Sequence, residues 1–466
     1  MTAPAPVPRG RFAVLMLAGS LVLVEFLAGM QRYLSQTVLP IVAAELDGAH
    51  LYGPLDAAAQ APMFLTMPVG AWLLSRFRVG RLMVVLTLVT VVGGVVCATA
   101  AGMGQFIAGT AVRSLAAGAL ATVGMGAISR GLPPRYRQLV LAAMSGVWLF
   151  SSVLGPLYAV TATSAFGWRW AMVVYLPLLL LVRAMVARYM PERTEQVATE
   201  PAPWGWSLVL ATGSAVLALP LGAWSAVALL VGGALMLRAA AAVLPTGTLR
   251  ARGGRRAALS ALMVTAAVYF GAEMVLSVVA HDGFGLGTGQ LGVIIAASGF
   301  AWAATGLWAG ARPAADDTVF RRRMVGGGAV LAAGVVGLLV TTLLADARQA
   351  YPGLLCAAAV LGLGMGMLYP DLLGRCLARP ERDDGISEDR MAAAVVVAES
   401  VGLALATTTA FAWLGTGMGV VDDPVTRAQV LYAALVPLAV VMVARLATAA
   451  RPLDDRLDPG RAPAEA

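Results

Sequence analysis

Between residues 12 and 449 the chain consists almost entirely of apolar runs about 20 residues long, broken by short loops that carry arginine. A run of that length spans the hydrocarbon core of a bilayer. Inside that core the backbone must satisfy its own hydrogen bonds, which a helix does within one segment. The runs lie near 12 to 40, 54 to 75, 80 to 102, 105 to 129, 138 to 164 and 168 to 190, then 204 to 222 and 225 to 243, and finally 257 to 280, 288 to 311, 324 to 345, 352 to 374, 391 to 415 and 428 to 449. They predict an all-α polytopic membrane protein with 14 transmembrane helices. The composition agrees: 59% of residues are hydrophobic and 12% charged, against about half and about a quarter in a soluble domain.

All 33 basic side chains are arginine. Without lysine there is no P-loop lysine, Schiff base or Ser/Lys dyad, which argues against a Walker-type ATPase site; energy for pumping has to come from a gradient or a partner. No His-Glu-x-x-His pattern is present, which argues against an intramembrane metalloenzyme. His50 and His281 are isolated, and Cys97, Cys356 and Cys376 sit singly in or beside apolar runs and read as small core residues. No disulfide, metal or cofactor is expected.

The net charge of +8 would suggest nucleic acid in a soluble protein, but here its placement follows a membrane topology. With the N-terminus inside, Arg9, Arg11, Arg76, Arg78, Arg81, Arg130, Arg135, Arg137, Arg183, Arg188 and Arg193 face the cytoplasm. So do Arg238 and the arginines of 250–256, 312–323, 375–390 and 445–461. Arg169, Arg348 and Arg427 fall outside, and Arg32 and Arg113 within the membrane. Both termini are therefore expected in the cytoplasm, and the basic inner face also suits anionic lipid. The first run is far longer than the apolar core of a signal peptide and no cleavage site ends it cleanly, so it reads as a retained anchor.

Gly70-Ala-Trp72-Leu-Leu-Ser-Arg76 and Gly306-Leu-Trp308-Ala-Gly-Ala-Arg312 share the pattern Gly-x-Trp-x-x-x-Arg at the cytoplasmic ends of the second and tenth runs. Second helix matching second helix, in one orientation, implies two parallel six-helix bundles with an extra pair of helices between them in the chain. The expected units are an N-terminal bundle 1–190, a cytoplasmic linker 191–203, two inserted helices 204–243, a basic cytoplasmic connector 244–256, a C-terminal bundle 257–450 and a cytoplasmic tail 451–466.

Further short stretches occur in a fixed order. Thr37-Val-Leu39-Pro40-Ile-Val-Ala-Ala-Glu-Leu closes helix 1; Leu73-Leu-Ser75-Arg76-Phe77 with Gly80-Arg81 joins helices 2 and 3; Arg113-Ser-Leu-Ala-Ala-Gly118 lies in helix 4. Gly146 and Gly155-Pro156 follow in helix 5, and Gly167-Trp-Arg-Trp170 enters helix 6. Together they resemble the major facilitator superfamily in its fourteen-helix drug:proton antiporter branch, over essentially the whole chain. The resemblance implies the major facilitator fold, with gating or hinge roles for Ser75, Arg76, Gly80, Arg81, Gly146, Gly155 and Pro156. The chain departs from the family pattern at three places. Ser75 stands where an Asp is usual, with Arg78 and Val79 inserted before Gly80; Gln31 aligns with the family's helix 1 Asp; and Ala159-Val160 replace a pair of glycines.

Ionisable groups at membrane depth are costly and tend to face a cavity or a partner. Glu25 lies halfway along helix 1, Glu273 in the outer part of helix 9, and Glu399 in the inner part of helix 13. Each either loads and releases a proton or is a neutral carboxyl that joins helices. With Gln31, Arg32 and Arg113 they form the expected proton-coupling and substrate cavity. Arg113 needs a partner on another helix, Glu25 first, or else backbone carbonyls. Arg32 lies about 10 Å along the axis from Glu25 and either enters the cavity or snorkels to the outer surface. Asp371, four residues before Arg375, reads as an ordinary interfacial charge. Gly155-Pro156 marks either a hinge or a packing contact, and Gly362-Leu-Gly364-Met-Gly366 close helix packing. Met30, Tyr33, Trp148, Tyr158, Phe270 and Met274 either line an apolar pocket or face core and lipid.

The expected function is secondary active transport rather than catalysis: proton-coupled efflux of apolar or amphipathic small molecules by alternating access. A monomer in a bacterial-type cytoplasmic (plasma) membrane would do this, with its small-molecule substrate and lipids as partners and no nucleic acid. The alternative keeps the fold and drops proton coupling, because Gln31 and Ser75 stand at usually acidic positions: a uniporter, an importer or a lipid flippase.

Overall fold

A computed structural model describes residues 11–190, 204–344, 346–378, 385–386 and 388–451. The expected linker 191–203, most of the tail, and Arg9, Arg193, Arg379, Arg382, Arg456 and Arg461 lie outside the described residues. Every described element is helical. Fourteen helices follow the apolar runs. They are α1 (Arg11–Glu45), α2 (Tyr52–Arg76), α3 (Val79–Ala98), α4 (Met103–Gly131), α5 (Pro134–Phe166), α6 (Trp168–Tyr189), α7 (Trp204–Leu217), α8 (Ser225–Val243), α9 (Gly254–Gly283), α10 (Thr288–Gly310), α11 (Asp317–Leu344), α12 (Ala347–Leu377), α13 (Glu388–Thr416) and α14 (Pro424–Ala449). Among the described residues, ten are long and apolar enough to cross a membrane by length and composition alone.

Local chemistry explains where boundaries differ from the apolar runs. α5 starts at Pro134, whose missing N–H costs nothing in a first helical turn. α7 stops at Leu217, short of the run near 204 to 222, because Pro220 disfavours helical geometry in the residue before it. Two helices are interrupted. α6 breaks after Ala171 and resumes at Leu176 with a proline in its first turn. α9 is α-helical from Gly254 to Glu273, is interrupted at Met274 and Val275, and ends in a π-helical turn, Val279–Gly283.

The helices pair in a repeated pattern. α1 packs on α5 and α6, α2 on α4, and α3 on α4 and α6; eight helices later, α9 packs on α13 and α14, α10 on α12, and α11 on α12 and α14. The same pairings in the same order are what two parallel copies of one six-helix unit produce. The halves then meet crosswise, α2 against α13 and α5 against α10. α7 and α8, central in the chain, are peripheral in space: they lie against α2 and α13 and leave Leu208 and Leu230 exposed.

The glycines of α12 have the packing role expected of them. A Cβ at Gly362 or Gly366 would collide with Ser298, Trp302 and Thr305 of α10, and one at Gly364 with Leu331 of α11. Other expectations change. Arg183, assigned to the cytoplasmic face by charge counting, is buried and donates to Thr87 Oγ1 at 3.3 Å, because α6 packs on both α1 and α3. Cys97 and Cys376 are buried, but Cys356 is exposed on α12 rather than in the core. Of the arginines expected outside, Arg169 pairs with Glu45 and donates to Ala100 O at 3.1 Å. Arg427 donates to Leu414 O at 2.9 Å and Val421 O at 2.8 Å. The side chain of Arg348 lies outside the described residues.

Candidate functional site

α1 carries Arg32 and Gln36 one turn apart, both turned toward α9. Gln36 Nε2 donates to the backbone carbonyl of Glu273 at 2.9 Å and to its Oε1 at 3.2 Å. Because the first α-helical segment of α9 ends at Glu273, that carbonyl belongs to a helix terminus, where carbonyls lack intrahelical partners. Gln36 supplies the partner from the other half of the molecule. Glu273 itself is only 2% exposed.

Arg32 lies over the ring of Phe270, 4.8 Å from its centroid, and Nη2 is 3.6 Å from Met274 Sδ. It therefore turns inward onto α9 instead of snorkelling outward. Cation–π attraction is favoured where water is scarce. Its charge acts on three carboxylates from three helices: Asp56 of α2, Glu273 of α9 and Glu399 of α13.

Below Arg32 a column of rings runs through the C-terminal half. Phe270 and Trp302 have centroids 6.1 Å apart, Tyr269 and Trp302 5.1 Å, and Trp302 and Tyr369 5.8 Å, all edge-to-face. The column ends at Glu399, whose two carboxylate oxygens accept from Tyr369 Oη at 3.2 and 3.1 Å. Trp302, Tyr369 and Glu399 are each half-buried. The column thus has Arg32 over one end and the Glu399 carboxylate at the other, with Tyr269 and Phe270 buried.

The N-terminal half holds its ionisable groups differently from expectation. Arg113 is buried, with Gly93 packed against its side chain, and makes no hydrogen bond or ion pair among the described residues. The expected Glu25–Arg113 pair is thus not formed. Half-buried Glu25 acts electrostatically on Arg183 instead, which the α6 packing brings inward. Gln31 is half-buried beside Arg32.

The motif residues are scattered along the N-terminal half. Ser75 lies near the end of α2, its side chain outside the described residues. Arg76 stacks on Trp72 at 4.9 Å. Gly80 brings α3 close to α6, since a Cβ there would lie 2.9 Å from Ala187 O, and Arg81 is exposed. Gly146 has open space around it. Gly155 lets α5 cross α1, a Cβ there lying 2.7 Å from Tyr33 Cβ, and α5 continues unbroken through Pro156. Tyr158 donates to Ala171 O at 2.7 Å, a packing bond within its own half; the side chain of Trp148 lies outside the described residues. Asp371 is no simple interfacial charge. It accepts from Arg323 Nη1 at 2.8 Å and from the Ala314 N–H at 3.2 Å, while Arg375 pairs with Asp317 at 3.3 Å.

Five site residues escape the sequence reading: Gln36, Asp56, Tyr269, Trp302 and Tyr369. Asp56 has a signal, an acid two residues inside an apolar run. Trp302 and Tyr369 have none that separates them from other aromatics. Among the described residues no group of three His, Cys, Asp or Glu side chains is placed to hold a metal ion.

Comparison with known proteins places this architecture. The family described as Major Facilitator Superfamily matches residues 21–378. The chain is similar to "Multidrug resistance protein 3" of Bacillus subtilis (strain 168), 24% identical over 184 residues, which are 40% of this chain and 36% of that protein. It is also similar to "Efflux pump dotC" of Dothistroma septosporum, 26% identical over 174 residues, 37% of this chain and 30% of that one. The chain thus matches about a third of the length of these curated relatives. Among solved structures, a peptide transporter POT in complex with sulfate superimposes with TM-score 0.64 at 17% identity, covering 94% of this chain and 95% of that one. The human organic anion transporter MFSD10 does so with TM-score 0.55 at 15% identity, covering 92% and 99%. These structures share the fold.

Proposed function

Because this chain belongs to the Major Facilitator Superfamily, and is a multi-pass membrane transporter of small molecules rather than an enzyme, we propose that it exports apolar or amphipathic compounds by alternating access, driven by proton entry. The observation that carries this reading is the position of Arg32: a cation on α1, in the N-terminal half, laid on Phe270 and Met274 of α9 in the other half, on either side of Glu273, with the acid Glu399 on neighbouring α13. When α1 moves relative to α9 and α13, the cation leaves the neighbourhood of these acids. Uptake of one proton by one of the acids offsets the one positive charge that left, and release of that proton accompanies the reverse movement. Cargo movement and proton movement are coupled because both need the same displacement. The ring column between the two acids supplies an apolar path of the right chemistry, and distant relatives bear the names of efflux and multidrug resistance proteins.

The moving units in this proposal are 1–190 and 257–450, joined by the linker 191–203, the helices of 204–243 and the connector 244–256. The connector is tied to the C-terminal half: Arg445 donates to Leu249 O at 2.8 Å, and Arg255 to Ile386 O at 2.7 Å. The proposal sets both termini in the cytoplasm, which the arginine placement supports, and takes a monomer in a bacterial-type plasma membrane as the working unit.

The test is accumulation of fluorescent cationic and neutral drugs in cells expressing the wild type or Glu273→Gln, with and without a protonophore. Lower accumulation only with the wild type and an intact gradient is the expected result. Export undiminished by the protonophore would overturn proton coupling and favour a uniporter or lipid transporter on the same fold, as Gln31 and Ser75 suggest.

A further inference from the structure

We infer that Asp56 is a carboxylate latch: with Thr407 and Thr408 of α13 it holds the two halves together at one end of the bundle and must let go for that end to open. Asp56 Oδ2 accepts from Thr408 Oγ1 at 2.6 Å and from Thr407 Oγ1 at 3.0 Å. Gln60, one turn further along α2, also bonds to this carboxylate. α13 presents three consecutive threonines that behave differently. Thr409 Oγ1 returns to Leu405 O at 2.6 Å, the usual habit of a hydroxyl within a helix. Thr407 and Thr408, 1% and 0% exposed, point across the seam instead.

The surrounding contacts make this seam tight. Tyr52, one turn before Asp56, donates to Asp282 Oδ2 of α9 at 3.0 Å, and its ring lies 6.2 Å from that of Phe411. A Cβ at Gly53 would lie 2.8 Å from Ala412 Cα, and one at Gly415 would lie 2.9 Å from Ala49 O. The charged and titratable groups around this seam include Arg32 of α1, which acts on Asp56 itself, Tyr52 of α2, bonded to Asp282 of α9, and His281 and Arg427, which act on Asp282. Hydrogen bonds to an ionised acceptor are about twice as strong as neutral ones, so two hydroxyls on one carboxylate join α2 to α13 firmly. Yet they are three polar atoms, and a short separation of the helices removes them together. That is the behaviour of a latch rather than of a packed core, whose contacts fade gradually.

The inference rests on the two halves moving as units, not on what is carried. Its test reads the opening directly. Spin labels replace Phe166, at the end of α5, and Val420, just beyond α13, both exposed and on opposite halves, with Cys97, Cys356 and Cys376 changed to Ser. The distance distribution is measured in nanodiscs for the unsubstituted latch, Thr407→Val with Thr408→Val, Asp56→Asn, and Thr408→Ser. The valine pair keeps the shape of threonine and removes only the hydroxyls. Its ratio of wide to narrow separations is expected to rise about tenfold, with Asp56→Asn moving the same way and Thr408→Ser leaving the ratio unchanged. An unchanged distribution in the valine pair overturns the latch. So does an equal shift in Thr408→Ser, which would assign the effect to packing. If Asp56→Asn does not fold, the valine pair decides alone. No substrate or proton gradient is present, so failure of the latch and failure of the efflux reading are separate results.

Discussion

One amide nitrogen of Gln36 bonds both the backbone carbonyl and the carboxylate of Glu273, 237 positions away and in the opposite half of the protein. A side chain of α1 thereby reports the position of the point where α9 breaks. Gln36→Leu, similar in size but without the donor, removes a hydrogen bond from a buried carboxylate and leaves a helix-end carbonyl unpaired, at a cost of about 1–3 kcal/mol. The initial rate of drug export in inverted vesicles, normalised to protein, is expected to fall about tenfold or more. An unchanged rate would remove this contact from the transport cycle.

Tyr369 and Trp302 test the two roles that the efflux proposal gives the ring column. Tyr369→Phe keeps the ring packed on Trp302 and removes the hydroxyl from Glu399, so it is expected to slow proton-driven export while leaving the half-saturating drug concentration nearly the same. Trp302→Ala removes the central ring. Aromatic pairs are worth about 0.5–1.5 kcal/mol each, so the half-saturating concentration of an aromatic drug is expected to rise about tenfold. Concentration series in vesicles read both values.

Gly366 allows α12 to lie directly on α10. Gly366→Val pushes a branched side chain against Thr305 and Trp302 and is expected to destabilise the fold by about 3 kcal/mol. Gly326→Ala on α11, where nothing lies within 4 Å of the added carbon, is expected to be neutral or stabilising by up to about 1 kcal/mol. Thermal unfolding of the two variants in detergent checks the contrast.

Asp423 caps α14 from outside the membrane. Its carboxylate accepts from Thr426 Oγ1 at 2.6 Å and from the Thr426 N–H at 2.7 Å; these bonds, the side-chain one foremost, hold its pKa below the ordinary aspartate value. A depressed folded-state pKa stabilises the protein above the unfolded pKa, and that contribution disappears as pH falls through the folded one. Asp423→Ala should therefore lower the melting temperature at neutral pH, at a cost of about 1 kcal/mol, and the difference from wild type should shrink on acidification below about pH 4. Asp423→Asn, which also caps, should stay close to wild type at neutral pH. Melting curves at several pH values decide this.

The helices were legible because bilayer thickness imposes one length on each apolar run; the ends near Pro134 and Pro220 were not, because proline acts on backbone geometry that a count of apolar residues does not register. Arg183 was misplaced for a reason inherent in counting charges: a rule about loops cannot see that α6 packs inward on α1 and α3. Glu25 and Arg113 looked like partners because each lacked one nearby in sequence, yet helix rotation sets which of the buried arginines Glu25 acts on.

Sequence by itself determined the helical character of this protein, the approximate start of nearly every helix, its repeat, and the presence of acids that a membrane interior does not hold without purpose. Tertiary structure alone decided that Arg32 faces Phe270, that Asp56 meets Thr407 and Thr408, and that Trp302 and Tyr369 lie between Arg32 and Glu399. Hydropathy is a property of each residue summed along the chain, so it is written locally. These contacts join residues up to 352 positions apart, and their distances depend on the rotation and crossing of helices, which close glycine contacts such as those at Gly53, Gly155 and Gly366 set in three dimensions.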